Sequence, residues 1–376
     1  MKIGLLKEPR NEKRVALLPA NVKDLVTMKH EVWMEHDAGH QAFFDDTLYQ
    51  DAGASIGHRK ELLGSCDLLV QIQPLAIEEL ESVKEKSWVL SQFNALQDTD
   101  TAYAIKNAGL TAFSMDLIPR TTRAQSMDVL SSMATVAGYK AVLEAARLLP
   151  QFFPMFMTAA GTIKPVKLLV LGAGVAGLQA IATARKLGAQ VEAFDVRSAV
   201  KEEVQSLGGK FIEVEGARDE MEAGGYAVEQ TEAFKQRQKQ LIHDHASKAN
   251  VVITTAQIPG RKAPLLLSKE TVEQMMPGSV IIDLAASTGG NCEVTQDAKT
   301  IVHNHVTVVG ESNFPAQLPA DASKMYGNNI MNFLKLLLKE DGTYDLNFDD
   351  DIVGGTCLAH KGEFVNERVK QMLNDQ

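Results

Sequence analysis

The sequence predicts an α/β protein with two domains, each built on a parallel sheet covered by helices. Three observations lead to this prediction. The 376 residues are enough for two such domains. Short apolar segments alternate with helix-forming segments in both halves of the chain, which is the pattern of parallel sheets. In the second half, a glycine-rich turn separates the first apolar segment from a helix-forming one.

The first half contains short apolar segments that we interpret as strands. They are KIGLL at the N-terminus, EVWME, CDLLVQIQ, SWVLSQF and LTAFSMD, which ends at Asp116. A helix is expected to begin near Pro19, because proline is favoured at the first helical position. These segments predict a first domain over residues 1–131.

The second half predicts a complete second sheet. A long helix from Ser126 to Leu149, ended by Pro150, is expected to connect the domains. Strand candidates follow it in a regular series, and six is the number in a full dinucleotide-binding domain. They are VKLLVLG, QVEAFD, KFIEV, NVVITT, SVIIDLA and TVVG. We therefore predict a second domain over residues 132–321.

The C-terminal region changes character after Asn313. It is helix-forming from Ala322 to Leu338 and then irregular. We expect residues 322–376 to pack back on the first domain, which makes that domain discontinuous.

Composition excludes several classes of function. The chain has 38 Lys and Arg against 48 Asp and Glu, a net charge of −10, and its basic residues are dispersed. This balance argues against nucleic-acid binding and against direct attachment to anionic lipid. No apolar stretch approaches the roughly 18–20 residues that span a bilayer. Cys66, Cys292 and Cys357 have the scattered placement of reduced thiols. We expect a cytoplasmic protein that reaches a membrane only through a partner.

The turn Gly172-Ala173-Gly174-Val175-Ala176-Gly177 has the spacing of a dinucleotide-binding fingerprint. In that fingerprint, Gly172 permits the tight turn, Gly174 lets the backbone approach a pyrophosphate, and Gly177 packs the helix against the strand. The phosphates then meet the positive N-terminus of the helix. The strand–turn–helix context predicts that the second domain is a Rossmann domain, and we expect the first domain to be Rossmann-like.

Asp195 ends the next strand, 18 residues after Gly177. A carboxylate there accepts hydrogen bonds from the adenosine ribose and repels a 2′-phosphate, so we predict NAD rather than NADP. Arg197 complicates this prediction, because a nearby arginine is how such folds hold NADP.

A polar segment from Arg120 to Ser131 contains Arg123, Gln125 and Asp128. Two interpretations remain open from the residues alone. The segment is an exposed helix cap, with Ser126 or Asp128 as the capping residue. Alternatively, it recognises a carboxamide, with Gln125 and Asp128 binding a nicotinamide amide and an arginine pairing the Asp128 carboxylate.

The charged stretch 215–239 lacks a strand pattern and contains Gly224-Gly225-Tyr226. It is either a solvated loop leading into a helix or a lid with a glycine hinge and an aromatic tip near the cofactor.

The histidines offer little support for metal or acid–base chemistry. His243 with His245, and His303 with His305, are H-x-H pairs that would share a face on a strand, but no third ligand has a suitable spacing. We therefore predict no metal site. No histidine lies in the segments 71–74 and 91–96, which we expect to line a cleft between the domains.

Motifs along nearly the whole chain resemble those of one family. They are KEPRNEKRVALLP, RAQSMDVLSS, AGYKAV, PMFMTAAGT, LGAGVAGLQAIATARKLGA, DVRS, LGGKF, GGYA, ITTAQIPG, PGSVIIDLA and GGNC. The chain resembles the NAD-binding domain I of proton-translocating nicotinamide nucleotide transhydrogenase. The wider superfamily includes alanine dehydrogenase, which shares the opening motif and the two-domain plan.

The resemblance implies a specific activity. NAD(H) bound in the interdomain cleft of this chain exchanges a hydride with NADP(H) on a partner domain. That transfer is coupled to proton passage through membrane-embedded partner subunits. The resemblance also implies a homodimer that lies peripherally on the inner-membrane complex.

The resemblance also assigns residues to the nucleotide. Arg120, Gln125 and Asp128 hold the nicotinamide end, with Ser131 close to it and Ser126 and Met127 in the same loop. Gln125 reaches towards the partner nucleotide domain. The remaining nucleotide contacts are Asp195, Val196 and Arg197 at the adenosine ribose, Gly225 and Tyr226 in a mobile loop, and Gln238 and Gln257. Gln257 replaces the leucine expected there.

Alanine dehydrogenase is the principal alternative function. Its chemistry needs a lysine and a histidine, whereas the matching positions here hold Gln73 and Asn94, which transfer no proton near pH 7. Arg14, which would hold a substrate carboxylate in a dehydrogenase, is retained. Loss of the acid–base pair favours direct hydride transfer between two nicotinamide rings, which depends on proximity and orientation. A protein that binds NAD without turnover is a further alternative.

Overall fold

A computed structural model describes residues 1–214, 232–258 and 260–374. The chain divides into two compact units. Unit 1 is formed by residues 1–133 and 315–376, and unit 2 by residues 134–314. Unit 1 is thus made of two separate chain segments, as the fold prediction required.

The described residues form strands that belong mainly to two large sheets. In chain order they are β1 Lys2–Leu5, β2 Glu31–Glu35, β3 Ser55–Gly57, β4 Leu68–Val70, β5 Trp88–Ser91, β6 Thr111–Ser114, β7 Phe156–Thr158, β8 Gly161–Ile163, β9 Lys167–Leu171, β10 Gln190–Phe194, β11 Lys210–Ile212, β12 Val251–Thr254, β13 Val280–Asp283, β14 Lys299–His303, β15 Val306–Gly310, β16 Cys357–His360 and β17 Glu363–Phe364.

Most helices connect consecutive strands of these sheets. They are α1 Pro19–Thr27, α2 Asp46–Asp51, α3 Arg59–Ser65, α4 Thr99–Asn107, α5 Val129–Leu148, α6 Val175–Lys186, α7 Lys201–Ser206, α8 Glu232–Ala246, α9 Lys269–Glu273, α10 Pro319–Leu337, α11 Asp351–Thr356 and α12 Glu367–Asn374. The long helix α5 starts three residues later than predicted, after a 3-10 turn at Gln125–Met127. Among the described residues, no helix combines the length and the apolar character needed to cross a membrane.

Unit 1 contains an eight-stranded sheet with the order β17-β16-β6-β5-β4-β1-β2-β3. The six strands from β1 to β6 pair in parallel, in the Rossmann order 3-2-1-4-5-6. The prediction of an irregular C-terminal segment is wrong, because β16 adds antiparallel to β6 and β17 adds to β16. The short strand β3 was also not predicted.

Unit 2 contains a seven-stranded sheet with the order β11-β10-β9-β12-β13-β15-β14. All six predicted strands are present and pair in parallel in the order 3-2-1-4-5-6. The seventh strand, β14, is an unpredicted antiparallel edge strand. The predicted α/β fold is confirmed, but both sheets are mixed rather than purely parallel.

The core of unit 2 lies on both faces of its sheet, because alternate residues of each strand point to opposite sides. Leu168 and Val170 of β9 belong to one buried cluster, which includes residues of α5, α6 and α7. Leu169 and Leu171 of the same strand belong to the other, which includes residues of α8 and α9. Burial on both faces explains why these strands are continuous apolar runs.

Candidate nucleotide-binding site

The glycine-rich turn joins the end of β9 to the start of α6. Gly172 has φ of +102°, a left-handed conformation that side chains rarely adopt. A Cβ on Gly177 would overlap the carbonyl oxygen of Gly172, so this position also requires glycine. Around Gly174, by contrast, a Cβ would meet only the Arg197 guanidinium, with Nη2 at 3.9 Å. The turn is therefore tight at its two ends and open at its middle glycine.

The N-terminus of α6 is suited to an anion. Gly174 is the N-cap and supplies no side-chain acceptor, and the first turn carries no acidic residue. The first N–H groups of a helix lack partners within the helix, and its dipole places partial positive charge at this end. Val175, the first residue of α6, is partly exposed. This open helix end fits a pyrophosphate.

Asp195 follows β10 directly and connects this strand to the glycine-rich turn. Its Oδ2 accepts hydrogen bonds from the Ala173 N–H (2.7 Å) and from Arg197 Nη2 (2.8 Å). Its Oδ1 accepts from the backbone N–H and from Nε of Arg197, both at 2.9 Å. A carboxylate has about four acceptor positions, so these four donors engage them all. The hydrogen bond to Asp195 also raises the pKa of Arg197.

The expectation that Arg197 lies on the same side as Asp195 is confirmed, since the two side chains form a forked ion pair. Only 7% of the Asp195 side chain is exposed, against 28% for Arg197. A ribose hydroxyl can therefore donate to Asp195 only when Arg197 gives up some of this contact. Val196, between them, packs against the core.

Two polar residues that the sequence analysis missed shape the loops after β12 and β13. The buried Asp283 carboxylate accepts hydrogen bonds from Thr254, Ala285, Asn291, Cys292 and Thr295. The buried Asn291 amide bonds both backbone groups of Ala256 and the carbonyl of Pro264. These loops follow the carboxyl ends of their strands, as does the glycine-rich turn. The only sequence signal was a carboxylate ending an otherwise apolar strand.

Other predicted nucleotide contacts are placed as follows. Gln257 is exposed in the loop after β12, and its Nε2 donates to the Leu284 carbonyl at 2.9 Å. Gln238 is half-buried in α8. Gly225 and Tyr226 lie outside the described residues, so the lid interpretation stays a prediction.

The polar segment predicted from Arg120 to Ser131 belongs to unit 1. Asp128 caps α5, because its Oδ1 accepts from the Ser131 N–H at 2.9 Å and its Oδ2 accepts from Ser131 Oγ at 2.6 Å. The capping interpretation is thus confirmed for Asp128. Arg123 pairs instead with Asp350 and Asp351. Arg120 and Gln125 are exposed.

The H-x-H pairs do not have the predicted geometry. His243 and His245 are on helix α8, where residues two apart point to different sides. His243 contacts Thr271 and Gln274, whereas His245 contacts Glu192 at 2.6 Å. His303 ends β14, and His305 follows in a left-handed turn with φ of +65°. The prediction that each pair shares a strand face is wrong.

The residues compared with a dehydrogenase pocket lie in a buried polar cluster of unit 1. Arg14 is only 4% exposed, and its Nε and Nη2 donate to the Glu12 carboxylate at 2.8 and 2.6 Å. The Glu8 carboxyl accepts from the backbone N–H groups of Ile72 and Gln73. Burial raises the pKa of Glu8 to about 8. The Arg14 charge is thus already compensated within the protein.

A Rossmann strand order with a three-glycine turn and a carboxylate at the end of the second strand defines a nicotinamide nucleotide-binding class of protein. The chain belongs to the alanine dehydrogenase/PNT family. Residues 4–137 match the description "Alanine dehydrogenase/PNT, N-terminal domain", and residues 141–367 match "Alanine dehydrogenase/PNT, C-terminal domain".

Individual relatives place the chain more narrowly. It is 43% identical to an NAD(P) transhydrogenase subunit alpha polypeptide of Rhodospirillum rubrum, over 97% of this chain and 98% of that protein. The crystal structure of transhydrogenase from Sinorhizobium meliloti superposes with a TM-score of 0.85 at 38% identity, covering 98% of this chain and all of that one. An L-alanine dehydrogenase superposes with a TM-score of 0.81 at 24% identity, which shows a shared fold, and covers 100% of this chain and 99% of that one. The predicted resemblance is confirmed, and these relatives support a role as a transhydrogenase component.

Proposed function

We propose that this chain is the NAD(H)-binding component of a proton-translocating nicotinamide nucleotide transhydrogenase. A hydride passes directly between NAD(H) on this chain and NADP(H) on a partner domain. The observation that carries the proposal is the glycine-rich turn with Asp195, combined with Gln73 and Asn94 where an amino-acid dehydrogenase needs a proton carrier. Such a site binds a dinucleotide and transfers no proton to a small substrate.

The residues of unit 2 fit the adenosine and pyrophosphate moieties of NAD. The open middle glycine and the uncapped start of α6 receive the pyrophosphate, and Asp195 with Arg197 receives the ribose. The proposed contacts with these moieties are Gly172, Gly174, Val175, Gly177, Asp195, Val196, Arg197, Gly225, Tyr226, Gln238 and Gln257.

The residues of the 120–131 segment are proposed to bind the nicotinamide end. They are Arg120, Gln125, Ser126, Met127, Asp128 and Ser131. When bound, NAD(H) supplies the hydride chemistry, and these side chains bind the carboxamide and fix the direction of the ring. Because direct transfer needs no protein proton, the catalytic contribution of the chain is proximity and orientation.

The proposed partners are membrane-embedded transhydrogenase subunits that carry the NADP-binding domain and couple the transfer to proton passage. This assignment is supported by the similarity to proteins named as alpha subunits of a transhydrogenase. We place the chain in the cytoplasm, peripherally on the inner-membrane complex.

We also propose that the chain is a homodimer. In unit 2, β7 and β8 form a separate two-stranded antiparallel sheet whose residues are all exposed. An isolated hairpin is at best marginally stable in water. Its neighbourhood exposes apolar side chains, including Met155 (56%), Met157 (75%) and Ile163 (45%). An exposed apolar patch of this kind supports a self-complementary contact with a second copy.

One assay separates the possible functions. The purified chain is mixed with NADH, a thio-analogue of NAD and a recombinant NADP-binding domain carrying NADP, and reduction of the analogue is followed. Activity that requires the NADP-binding domain is expected. Activity with pyruvate and ammonia alone would instead establish the alanine dehydrogenase function, for which the retained Arg14 is the main argument. Nucleotide binding without either activity would leave a binding protein.

A further inference from the structure

The loop from Arg120 to Asp128, called here the 120–128 loop, is held by helix α10. The carbonyl oxygen of Ser126 accepts one hydrogen bond from Asn329 Nδ2 at 2.8 Å and another from Asn332 Nδ2 at 3.1 Å. The two asparagines lie three residues apart and therefore on one face of the helix. A carbonyl oxygen has two lone pairs, so both are used by α10.

Buried side chains fix the same loop from within. Ala124 is fully buried and Met127 is 6% exposed, whereas Gln125 and Ser126 between them are exposed. The loop is thus anchored on both sides of the exposed pair. With the Ser126 carbonyl also fixed, the backbone that carries Gln125 has little freedom to rotate.

A second contact holds the start of the loop. Arg123 donates from Nη1 and Nη2 to the two carboxylate oxygens of Asp350, at 2.8 and 2.5 Å. Asp350 is itself fixed, because it caps α11 by accepting from the N–H groups of Ile352 and Val353. Half of the Arg123 side chain is exposed, and exposed ion pairs contribute little. The asparagine contacts are therefore the main restraint from outside the loop.

Asn329 is a costly residue for the place it occupies. It lies in the interior of α10, where asparagine is a poor helix former, and it is only 7% exposed. Its Oδ1 is buried without a hydrogen-bond partner among the described residues. An unsatisfied buried acceptor is unfavourable. The benefit of the residue is therefore the single hydrogen bond that its Nδ2 donates to the loop.

We propose that Asn329 and Asn332 are positioning residues for hydride transfer. By holding the Ser126 carbonyl, they fix the direction in which Gln125 is presented to the nicotinamide end of the nucleotide. This inference rests on the proposed function. It predicts that loss of both amides slows transfer and leaves nucleotide affinity nearly unchanged, because most nucleotide contacts are in unit 2.

The test replaces Asn329 and Asn332 by alanine, singly and together, in the full chain combined with the NADP-binding domain. The double variant should transfer hydride about 10- to 100-fold more slowly, since small misplacements of a reacting geometry have effects of this size. Its Kd for NADH should stay within about threefold of the wild type. Each single variant retains one donor and should lose less. Asn328→Ala, on an exposed side of the same helix, is the matched control and should leave both values unchanged.

Hydrogen–deuterium exchange of the 120–131 peptide provides a readout that does not depend on activity. The backbone amides of the loop should exchange at least tenfold faster in the double variant and at the wild-type rate in Asn328→Ala. Unchanged exchange would overturn the positioning role even if the wild type transferred no hydride, an outcome that would separately refute the proposed function. A transfer rate within threefold of the wild type, or a parallel loss of NADH affinity, would also overturn it.

Discussion

At the scale of single residues, the adenosine end of the site depends on the contact between Asp195 and Arg197. Asp195 already accepts four hydrogen bonds, and three of them come from Arg197. The pair prevents the arginine from being free to bind a 2′-phosphate, and the negative carboxylate repels that group. We therefore infer that the same contact determines affinity for NAD and discrimination against NADP.

Replacing Asp195 by serine should reverse this preference. NADH binding should weaken about 10- to 100-fold, because a hydrogen bond to a charged group contributes about 1.5–3 kcal/mol. NADPH binding should strengthen, since Arg197 becomes available to a 2′-phosphate. Fluorescence titration with both nucleotides measures the change. Glu192→Gln, on the same strand, removes an equal charge from a residue paired with His245 and Lys210 and should change neither affinity. Unchanged NADH binding in Asp195→Ser would exclude Asp195 from the ribose contact.

At the scale of elements, α6 is positioned by close packing against α5. A Cβ on Gly138 of α5 would overlap the backbone carbonyl of Ala176 in the first turn of α6. From the sequence this glycine was only a weak point in a long helix. In the structure it permits the approach that places the N-terminus of α6 beside the glycine-rich turn.

Gly138→Ala should therefore lower the free energy of unfolding by about 1–3 kcal/mol, as overpacking does, and should also weaken NADH binding. The matched control is Gly64→Ala on α3, where a Cβ meets no atom within 4 Å. There, alanine should stabilise the helix by about 0.5–1 kcal/mol. Denaturant unfolding compares the two variants. An equal stabilisation by both would show that α5 and α6 do not require the glycine.

The same elements show how far sequence reasoning reaches. The six parallel strands of unit 2 were predictable because burial on both faces makes them continuous apolar runs. The strand β14 was not, because as an edge strand it is short and partly polar, with Val302 70% exposed. The glycine-rich turn and Asp195 have a local pattern. The hydrogen bonds of Asp283 and of Asn329 have none, since their partners are set by tertiary contacts.

At the scale of the whole molecule, dimer formation should depend on the β7–β8 hairpin. Phe156 packs against Phe152, with ring centroids 4.7 Å apart, and Met157 is 75% exposed beside it. Replacing Phe156 and Met157 by serine should shift the protein from dimer to monomer at micromolar concentration, measured by light scattering after size-exclusion chromatography. Val302→Ser removes an equally exposed apolar side chain elsewhere in unit 2 and should leave the dimer intact. A double variant that stays dimeric would place the interface on another surface.

The central claim is that a hydride passes between two nucleotides without a small substrate or a protein proton carrier. The most direct measurement follows the label from NADH deuterated at the transferred C4 position, using the chain combined with an NADP-binding domain in ordinary water. We predict that the deuterium appears in NADPH in full stoichiometry and that none is released to the solvent. Loss of the label to water, or NADPH formation that requires an added amino acid or oxo acid, would contradict this claim.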